Sequence, residues 1–486
     1  MYNIEISEKK RRRKMIEKQP EAEYEKQLAC IEEARLLAEA EARQKGRPLF
    51  AHIETFGCQM NARDSEKLRG ILAKAGYRDT ENEDEADLVI YNTCTVRDNA
   101  NQHVFGRLGH LNGVKRKNKD MLIGLCGCMM QEAHIVEKIK KSYPFVDLIF
   151  GTHNLYAFPE LLLRALRERK KVIDVRDRME YEPEHLPVVR KYPFKSGVNI
   201  MYGCNNFCTY CIVPYVRGRE FSRKPEDILD EVRRLAADGV VEIMLLGQNV
   251  NSYGKTLDEP MSFAKLLLAA AEVPGIERVR FMTSHPKDLS DELIEAMAEN
   301  EKICPHLHLP AQSGSSGLLK RMNRHYDRER YLELVRKLRA KIPDISLTTD
   351  IIVGFPGESE EDFKETLSLV SEVGFDSAFT FIYSKRSGTP AADYPDQVPD
   401  EVAHARLSKL LEVVKKGAEE RCGRFTGRTE KVLVEEVNRE PGLVSGRTPH
   451  NIVVHLPGDA SMIGKIIPVK LSVCHGFYYS GEKDGE

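Results

Sequence analysis

The chain has 486 residues, a formal net charge of -2 and 11 cysteines. This length excludes a single small domain, and the near-zero charge excludes a global basic field that would attract nucleic acid. No window offers the ~18 consecutive apolar residues of a membrane helix, and the N-terminus lacks an apolar signal segment, so we expect a cytoplasmic protein away from the membrane. Clustered cysteines in such a reducing compartment bind metal more often than they form disulfides.

The first 189 residues predict an arm, a domain and a linker. Residues 1–47 are dense in Glu, Lys, Arg and Ala, which is typical of a charged helical or disordered arm. Residues 48–167 alternate short apolar runs with polar, helix-like segments, which predicts a parallel α/β domain. The prolines at 183 and 187 favour extended chain, so residues 168–189 are predicted to be a linker.

The remainder predicts two further domains of different architecture. Residues 190–420 repeat a strand followed by a helix about six times, which favours a partial (β/α)6 barrel. The functional groups of such barrels lie at the carboxyl ends of the strands. Residues 423–484 hold short apolar runs divided by Gly and Pro, which predicts a small β-barrel.

The strongest local signal is a C-x-x-x-C-x-x-C run directly after the apolar segment GVNIMYG, made by Cys204, Cys208 and Cys211. Three thiolates on one short loop can bind three irons of a 4Fe-4S cluster and leave the fourth iron open. S-adenosylmethionine (SAM) can chelate that iron, so that one electron cleaves it to a 5′-deoxyadenosyl radical. A zinc site completed by a distant His is the alternative, although zinc sites favour paired C-x-x-C spacings.

Three more cysteines follow apolar runs of the first domain: Cys58, Cys94 and Cys128. The carboxyl ends of parallel strands share one edge of a sheet, so loops distant in sequence can bring three thiolates together. A second cluster with an open iron would have this geometry. Buried cysteines at strand ends are also often small apolar residues, and Cys126 is a rival ligand with the same side-chain parity as Cys128.

At this point the motifs resemble those of the radical-SAM methylthiotransferases. GCQMNARDSE, NTCTVRDNA, GCMMQ, GCNNFCTYCIVPYVRGRE, GQNVNSY, TSHP, LHLPAQSGS and DIIVGFPGE occur in order, and the resemblance runs from about Phe50 to Tyr479. It implies an α/β fold with an N-terminal methylthiotransferase domain, a radical-SAM partial barrel and a C-terminal TRAM β-barrel.

The resemblance also implies two 4Fe-4S clusters. The radical-SAM cluster would be bound by Cys204, Cys208 and Cys211, and an auxiliary cluster by Cys58, Cys94 and Cys128. The family motif, Gly-Cys followed by two residues and Gln or Glu, selects Cys128 over Cys126. The other five cysteines match no ligand motif and are interpreted as packed thiols: Cys30, Cys126, Cys304, Cys422 and Cys474.

Residues at the carboxyl ends of the predicted barrel strands are candidate contacts for SAM or substrate. They are Gln248, Asn249, Ser284, His285, Gln312 and Gly354. Tyr210 stands between the last two cysteines, where the family usually has an aromatic residue beside the adenine of SAM. The alternative for Tyr210 is a core aromatic residue beneath the loop.

As to function, the resemblance implies a tRNA methylthiotransferase. It would convert N6-isopentenyladenosine to 2-methylthio-N6-isopentenyladenosine at position 37, next to the anticodon. Two SAM molecules would be used per turnover, one as methyl donor and one as radical source. The expected partners are the tRNA anticodon stem-loop, an electron donor such as flavodoxin or ferredoxin, and a sulfur donor or iron-sulfur carrier; we expect a monomer.

Three alternatives stay open. The same chemistry could act on threonylcarbamoyl adenosine in tRNA, or on an aspartate of a ribosomal protein. The aspartate branch usually has Gly-Cys-Pro-Lys-Asn where this chain has GCQMN at residues 57–61, which disfavours it. A non-catalytic iron-sulfur protein that binds RNA is the alternative from another class.

An RNA role for the small C-terminal barrel depends on the resemblance to TRAM and on local residues, because its bulk charge is balanced. The candidates are Arg424, Arg428, Arg447, Lys465 and Phe477. A structural capping module is the alternative.

Overall fold

The computed structural model describes residues 20–95 and 98–484, with only the backbone for 98–102. The chain forms two compact units, and the boundary lies between Val189 and Arg190. Among the helices in the described ranges, none is both long and apolar enough to cross a bilayer.

Unit 1 contains a sheet of six parallel strands in the order β2-β1-β3-β4-β5-β6. Its elements in chain order are α1 (Glu21–Lys45), β1 (Leu49–Thr55), α2 (Gln59–Lys74), β2 (Tyr77–Asp79), β3 (Leu88–Thr93), α3 (Asp98–Lys117), β4 (Leu122–Gly127), α4 (Ala133–Ser142), β5 (Leu148–Phe150), α5 (Phe158–Glu168) and β6 (Val172–Asp174).

Helices cover both faces of this sheet. Alternate residues of β3 belong to two apolar clusters: Leu88 and Ile90 pack with α1, α2 and α5, whereas Val89 and Tyr91 pack with α3 and α4. Strands buried on both faces are apolar throughout, which explains the uninterrupted LVIY run. The parallel α/β prediction for this region is confirmed.

The described part of the N-terminal arm is a helix that packs on unit 1. Ile31, Ala34 and Ala38 of α1 are buried in the apolar cluster shared with α5. Charged residues on the flanks of α1 contact the same unit, as in the pair between Lys26 Nζ and Glu160 Oε2 at 2.7 Å. The remainder of the predicted arm, residues 1–19, lies outside the described residues.

The segment 168–189 is more than the linker that its prolines predict. Residues Val172–Asp174 form the outermost strand of the sheet, paired with β5. Further on, Lys67 Nζ donates to Glu184 Oε1 at 2.7 Å, and both side chains are almost fully buried. The linker prediction was wrong for these residues because the segment adds a strand and a buried ion pair to unit 1.

Unit 2 begins with a barrel of parallel strands and covering helices. Its elements are β7 (Lys195–Asn199), β8 (Met201–Tyr202), α6 (Val213–Val216), β9 (Phe221–Ser222), α7 (Pro225–Ala237), β10 (Glu242–Leu246), α8 (Phe263–Ala271), β11 (Arg278–Phe281), α9 (Asp291–Glu299), β12 (His306–His308), α10 (Ser316–Arg321), α11 (Arg328–Lys341), β13 (Ser346–Val353), α12 (Glu360–Val373), β14 (Ser377–Ile382) and α13 (Asp400–Gly423).

Six of these strands form the predicted partial barrel. β7, β10 and β11 make one parallel sheet and β12, β13 and β14 another. A parallel bridge between Val279 and Ile303 joins the two. The strand-helix repeat read from the sequence is therefore confirmed.

The end of the chain is a closed barrel of five strands in the order β15-β16-β17-β19-β18, as predicted. The strands are β15 (Thr429–Val437), β16 (Leu443–Arg447), β17 (Val453–Pro457), β18 (Ile466–Cys474) and β19 (Tyr478–Lys483). Its interior is filled by aliphatic side chains together with Phe425 and Tyr479. Tyr479 Oη donates to Cys422 O at 2.6 Å.

Two buried arginines join the small barrel to the large one. Arg280 Nε donates to Glu242 Oε2 at 3.0 Å, and its terminal nitrogens donate to the carbonyls of Thr448 and Pro449. Arg278 likewise donates to Arg447 O at 3.0 Å. Since a guanidinium offers five donors, one side chain can satisfy a carboxylate and two carbonyls at once.

Two of the candidate RNA contacts also serve this junction. Arg424 pairs with Asp376, and Arg428 pairs with Asp344 at 2.7 Å. These guanidinium groups therefore connect the start of the small barrel to the large barrel, an intramolecular use that composition alone does not reveal.

We expect Ile31→Ala in α1 to lower the free energy of unfolding of unit 1 by about 2–4 kcal/mol, because it leaves a cavity beneath the helix. Leu36→Ala on the same helix is the matched control: Leu36 is 53% exposed, so we expect a change within about 0.5 kcal/mol. Urea denaturation of the full chain measures both. Equal effects would contradict the packing of α1 on the sheet.

Candidate functional site

The structure brings the three candidate ligand cysteines of unit 1 to one edge of its sheet. Cys58, Cys94 and Cys128 follow the carboxyl ends of β1, β3 and β4, which are neighbours in the sheet. Cys94 and Cys128 are buried, and Cys58 is exposed. Gly57 has φ +114°, and a Cβ there would lie 2.8 Å from Cys94 Sγ, so only glycine allows these two loops to approach.

Asn61, at the start of α2, ties the three loops together. Its fully buried Nδ2 donates to Phe56 O at 2.8 Å and to Thr93 O at 2.9 Å. Its Oδ1 lies 3.8 Å from Cys128 Sγ. One amide side chain therefore contacts all three cysteine-bearing loops. The sequence analysis missed this residue, although it belongs to the GCQMN motif.

Cys126 occupies a different place from Cys128. It lies within β4, paired beside Asn92, and its side chain packs in the apolar cluster beneath α2 and α5. Cys128 begins a short 3-10 turn after the strand, at the same edge as Cys94. The choice of Cys128 over Cys126, which the family motif implies, stays a prediction.

In unit 2 the three candidate ligand cysteines lie on one loop, residues 203–211, which we call the cysteine loop. It follows β8 at the carboxyl side of the barrel strands. Cys204 and Cys208 are buried, and Cys211 is half-buried. Gly203 has φ +69°, and a Cβ there would lie 2.1 Å from Arg219 O, so the loop requires glycine at its start.

A second segment, residues 321–326, holds the cysteine loop, and we call it the clamp segment. Thr209 N donates to Met322 O at 3.0 Å, and Asn323 Nδ2 donates to Phe207 O at 3.0 Å. Phe207 and Asn323 both have positive φ, which is uncommon for residues other than glycine and concentrates at functional sites. The sequence analysis did not identify this segment.

The chemistry of these thiols suits a cluster. Burial raises the pKa of Cys204 to about 11 and that of Cys211 to about 12, so the thiols are neutral on their own. A bound metal deprotonates such thiols, and its positive charge stabilises the thiolates that burial alone disfavours. Within the part of the chain that the structure describes, no three His, Cys, Asp or Glu side chains are grouped tightly enough for one metal ion. Thiolates that bind separate irons of one cluster stand farther apart than that.

Polar side chains collect at the carboxyl ends of the barrel strands. Four of their buried atoms have no hydrogen-bond partner among the described residues: Asn249 Oδ1, Ser284 Oγ, His285 Nε2 and Gln312 Oε1. Buried polar atoms without partners are costly, so these atoms fit a polar ligand such as SAM. Burial and the nearby cations Arg324 and Lys287 hold the pKa of His285 far below its usual range, which keeps its imidazole neutral.

The other three predicted contacts have different surroundings. Gln248 follows β10 and is half-buried. Gly354 follows β13 with φ +71°, and its N–H donates to Glu358 Oε2 at 2.7 Å. A Cβ at Gly354 would lie 2.8 Å from Ala403 Cβ, so packing alone requires this glycine. Tyr210 packs against a small apolar cluster that includes Phe355. Their contact with SAM stays a prediction.

Comparison with known proteins identifies the family. The Radical SAM superfamily matches residues 198–370, Uncharacterized protein family UPF0004 matches 51–151, and the TRAM domain matches 423–483. A tRNA-2-methylthio-N(6)-dimethylallyladenosine synthase of Lachnoclostridium phytofermentans is 58% identical over 442 residues, 91% of this chain and 97% of that protein. The protein of that name from Acetivibrio thermocellus is 53% identical over 468 residues, covering 96% and 97%.

The chain belongs to the tRNA-2-methylthio-N(6)-dimethylallyladenosine synthase family. It is a radical-SAM enzyme by this membership, as the motifs indicated. Among solved structures, TsrM, a radical S-adenosylmethionine methyltransferase from Kitasatospora setae, resembles it with a TM-score of 0.52 at 14% identity. That likeness covers 71% of this chain and 75% of TsrM, and it supports the fold.

We expect Asn61→Ala to lower the iron content of the reconstituted protein. The substitution removes two buried hydrogen bonds, worth ~1 kcal/mol each, that fix the three loops of unit 1. Iron analysis after anaerobic reconstitution measures the effect. Asn82→Ala, in an exposed turn of the same unit, should bind as much iron as the wild type. Unchanged iron in Asn61→Ala would contradict the role assigned to this side chain.

Proposed function

We propose that this protein inserts a methylthio group at carbon 2 of N6-isopentenyladenosine at position 37 of tRNA, next to the anticodon. The observation that carries the proposal is the 58% identity to a synthase of that reaction over 97% of the relative's length. The placement of three cysteines at one sheet edge of unit 1 and three on one loop of unit 2 supports it.

In this proposal each unit holds one 4Fe-4S cluster. Cys204, Cys208 and Cys211 would bind the radical-SAM cluster; Cys58, Cys94 and Cys128 would bind the auxiliary cluster. When bound, the first supplies the electron that cleaves SAM, and the second presents sulfur for methylation and transfer. Hydrogen bonds from Asn61 fix the cysteine-bearing loops of unit 1, and hydrogen bonds from the clamp segment fix the cysteine loop of unit 2.

Two SAM molecules would be consumed per turnover, one as methyl donor and one as radical source. The unpartnered polar atoms at the barrel strand ends suit the amino, carboxylate and ribose groups of SAM. A neutral His285 would accept or donate one hydrogen bond there without adding positive charge beside the sulfonium.

The RNA partner would be the anticodon stem-loop, because bases in single-stranded loops are the most readily extruded. On the small barrel Phe477 is 53% exposed, and the ring of His475 stacks on Tyr478 with centroids 4.6 Å apart. Exposed stacked rings offer platforms for unpaired bases. The other proposed partners are an electron donor, such as flavodoxin or ferredoxin, and a sulfur donor or iron-sulfur carrier. The enzyme would act as a monomer in the cytoplasm.

The decisive experiment is anaerobic incubation of the reconstituted protein with SAM, reductant and isopentenylated tRNA that lacks the methylthio group. Mass spectrometry of the digested nucleosides should show a gain of one methylthio group on the modified adenosine. Formation of 5′-deoxyadenosine without that gain would redirect the proposal to threonylcarbamoyl adenosine or a ribosomal-protein aspartate. Absence of both products would favour the non-catalytic RNA-binding alternative.

We expect Cys58→Ala to lose methylthiolation by at least ~100-fold while it retains reductive cleavage of SAM, because Cys204, Cys208 and Cys211 are unchanged. Liquid chromatography of the same reaction quantifies 5′-deoxyadenosine and the nucleoside product together. Cys304→Ala is the control, since Cys304 lies before β12 and matches no ligand motif. Equal loss of both products in Cys58→Ala would contradict separate roles for the two sets of cysteines.

A further inference from the structure

Arg324 is a buried cation beside the cysteine loop. Its side chain is 5% exposed, and it belongs to the clamp segment between α10 and α11. Among the described residues no carboxylate lies within ion-pairing distance of its guanidinium, in contrast to the buried Arg223 and Arg406, which pair with Glu231 and Glu358. A buried charge without a counter-charge destabilises a protein strongly, so an anion bound beside Arg324 would stabilise this region.

The three nitrogens of this guanidinium point to different groups. Nη2 donates to Pro310 O at 2.9 Å, and Nε donates to Tyr326 Oη at 3.0 Å. Nη1 lies 3.5 Å from Cys208 Sγ, a normal distance for a hydrogen bond to sulfur. The first two contacts fix the plane of the guanidinium, and the third directs it at the central cysteine of the loop.

The backbone on both sides keeps this orientation. Asn323 has φ +59° and His325 has φ +26°, so two left-handed residues flank Arg324. Asn323 is also held to the cysteine loop by its bond to Phe207 O. Tyr326 Oη in turn donates to Ala311 O at 2.8 Å, which anchors the segment to the strand end after β12. A left-handed backbone costs free energy for residues other than glycine, so it persists only where surrounding contacts such as these hydrogen bonds fix it.

We propose that Arg324 is the buried counter-charge of the radical-SAM cluster and raises its reduction potential through the bond to Cys208. The inference rests on the proposed cluster at Cys204, Cys208 and Cys211. Hydrogen bonds to the sulfur ligands and the net charge nearby are among the main determinants of cluster potential. Reduction adds one electron from the external donor to the cluster, and a fixed positive charge stabilises that more negative state.

The test compares Arg324→Met, which removes the charge and the donors, with Arg324→Lys, which keeps the charge without the planar fork. Arg330→Met is the control, because it removes one positive charge from an exposed position of neighbouring α11. All three variants are made in a parent protein, the full chain with Cys58→Ala, Cys94→Ala and Cys128→Ala. The parent protein can bind only the radical-SAM cluster. Electron paramagnetic resonance during a redox titration then gives the midpoint potential.

We expect the midpoint potential to become more negative in Arg324→Met, to shift less in Arg324→Lys and to be unchanged in Arg330→Met. The fraction of cluster reduced at a fixed donor potential, and with it the rate of SAM cleavage, should fall in the same order. Equal potentials in all four proteins would overturn the inference and leave the proposed function intact. A parent protein that binds no cluster would overturn both.

A second readout separates a counter-charge from a merely structural residue. Cluster loading should raise the melting temperature of the parent protein by more than that of Arg324→Met, because only the parent gains a partner for a buried cation. The cluster-free Arg324→Met protein should be no less stable than the cluster-free parent, since the substitution removes a buried charge that no carboxylate of the described residues compensates. The inference would be overturned if cluster loading raised the melting temperature of both proteins equally and the cluster-free Arg324→Met protein were less stable than the cluster-free parent. That result would show a structural role for Arg324.

Discussion

A thiol can be placed only by the backbone that carries it, and the two cysteine sites of this protein depend on hydrogen bonds that fix those backbones. Cysteine has a short side chain with one χ angle before the sulfur, so it cannot reach across a gap as lysine or arginine can. Unit 1 meets this constraint with one buried amide, Asn61, that contacts three loops. Unit 2 meets it with a separate clamp segment bonded to a single loop.

The large barrel separates its tasks along the direction of its strands. Arg278 and Glu242 begin β11 and β10, and with Arg280 they lie on the side where the five-stranded barrel is attached. The cysteine loop and the unpartnered polar atoms follow the opposite, carboxyl ends of the strands. Attachment of the small barrel therefore uses side chains that have no part in the candidate SAM site.

The sequence predicted the two groups of cysteines, because one group is closely spaced along the chain and the other follows the ends of predicted strands. The cysteine loop is contiguous, and Cys58, Cys94 and Cys128 follow apolar runs that became neighbouring parallel strands, so both groupings were accessible from pattern. Contacts between distant residues were not. Nothing local marks Arg324 as the residue beside Cys208, because 116 positions separate them. Likewise, the prolines near residue 183 suggested a linker. The sequence could not reveal the buried ion pair of Glu184, because its partner Lys67 lies far upstream in α2.

Several groups of unit 2 are held in environments that cost stability. Among the described residues, four strand-end polar atoms are buried without hydrogen-bond partners, and Arg324 has no carboxylate within ion-pairing distance. Burial also raises the pKa of Cys204. In the proposed function each of these groups would gain favourable interactions with an anionic cluster or a polar cofactor, so that binding free energy would offset the cost. A fold arranged in this way is pre-organised for its ligands, because their binding removes existing penalties and requires little ordering of new segments. The same reasoning explains why the costly groups of unit 2 gather at one end of the barrel while its carboxylate-paired arginines, Arg223 and Arg406, need no ligand.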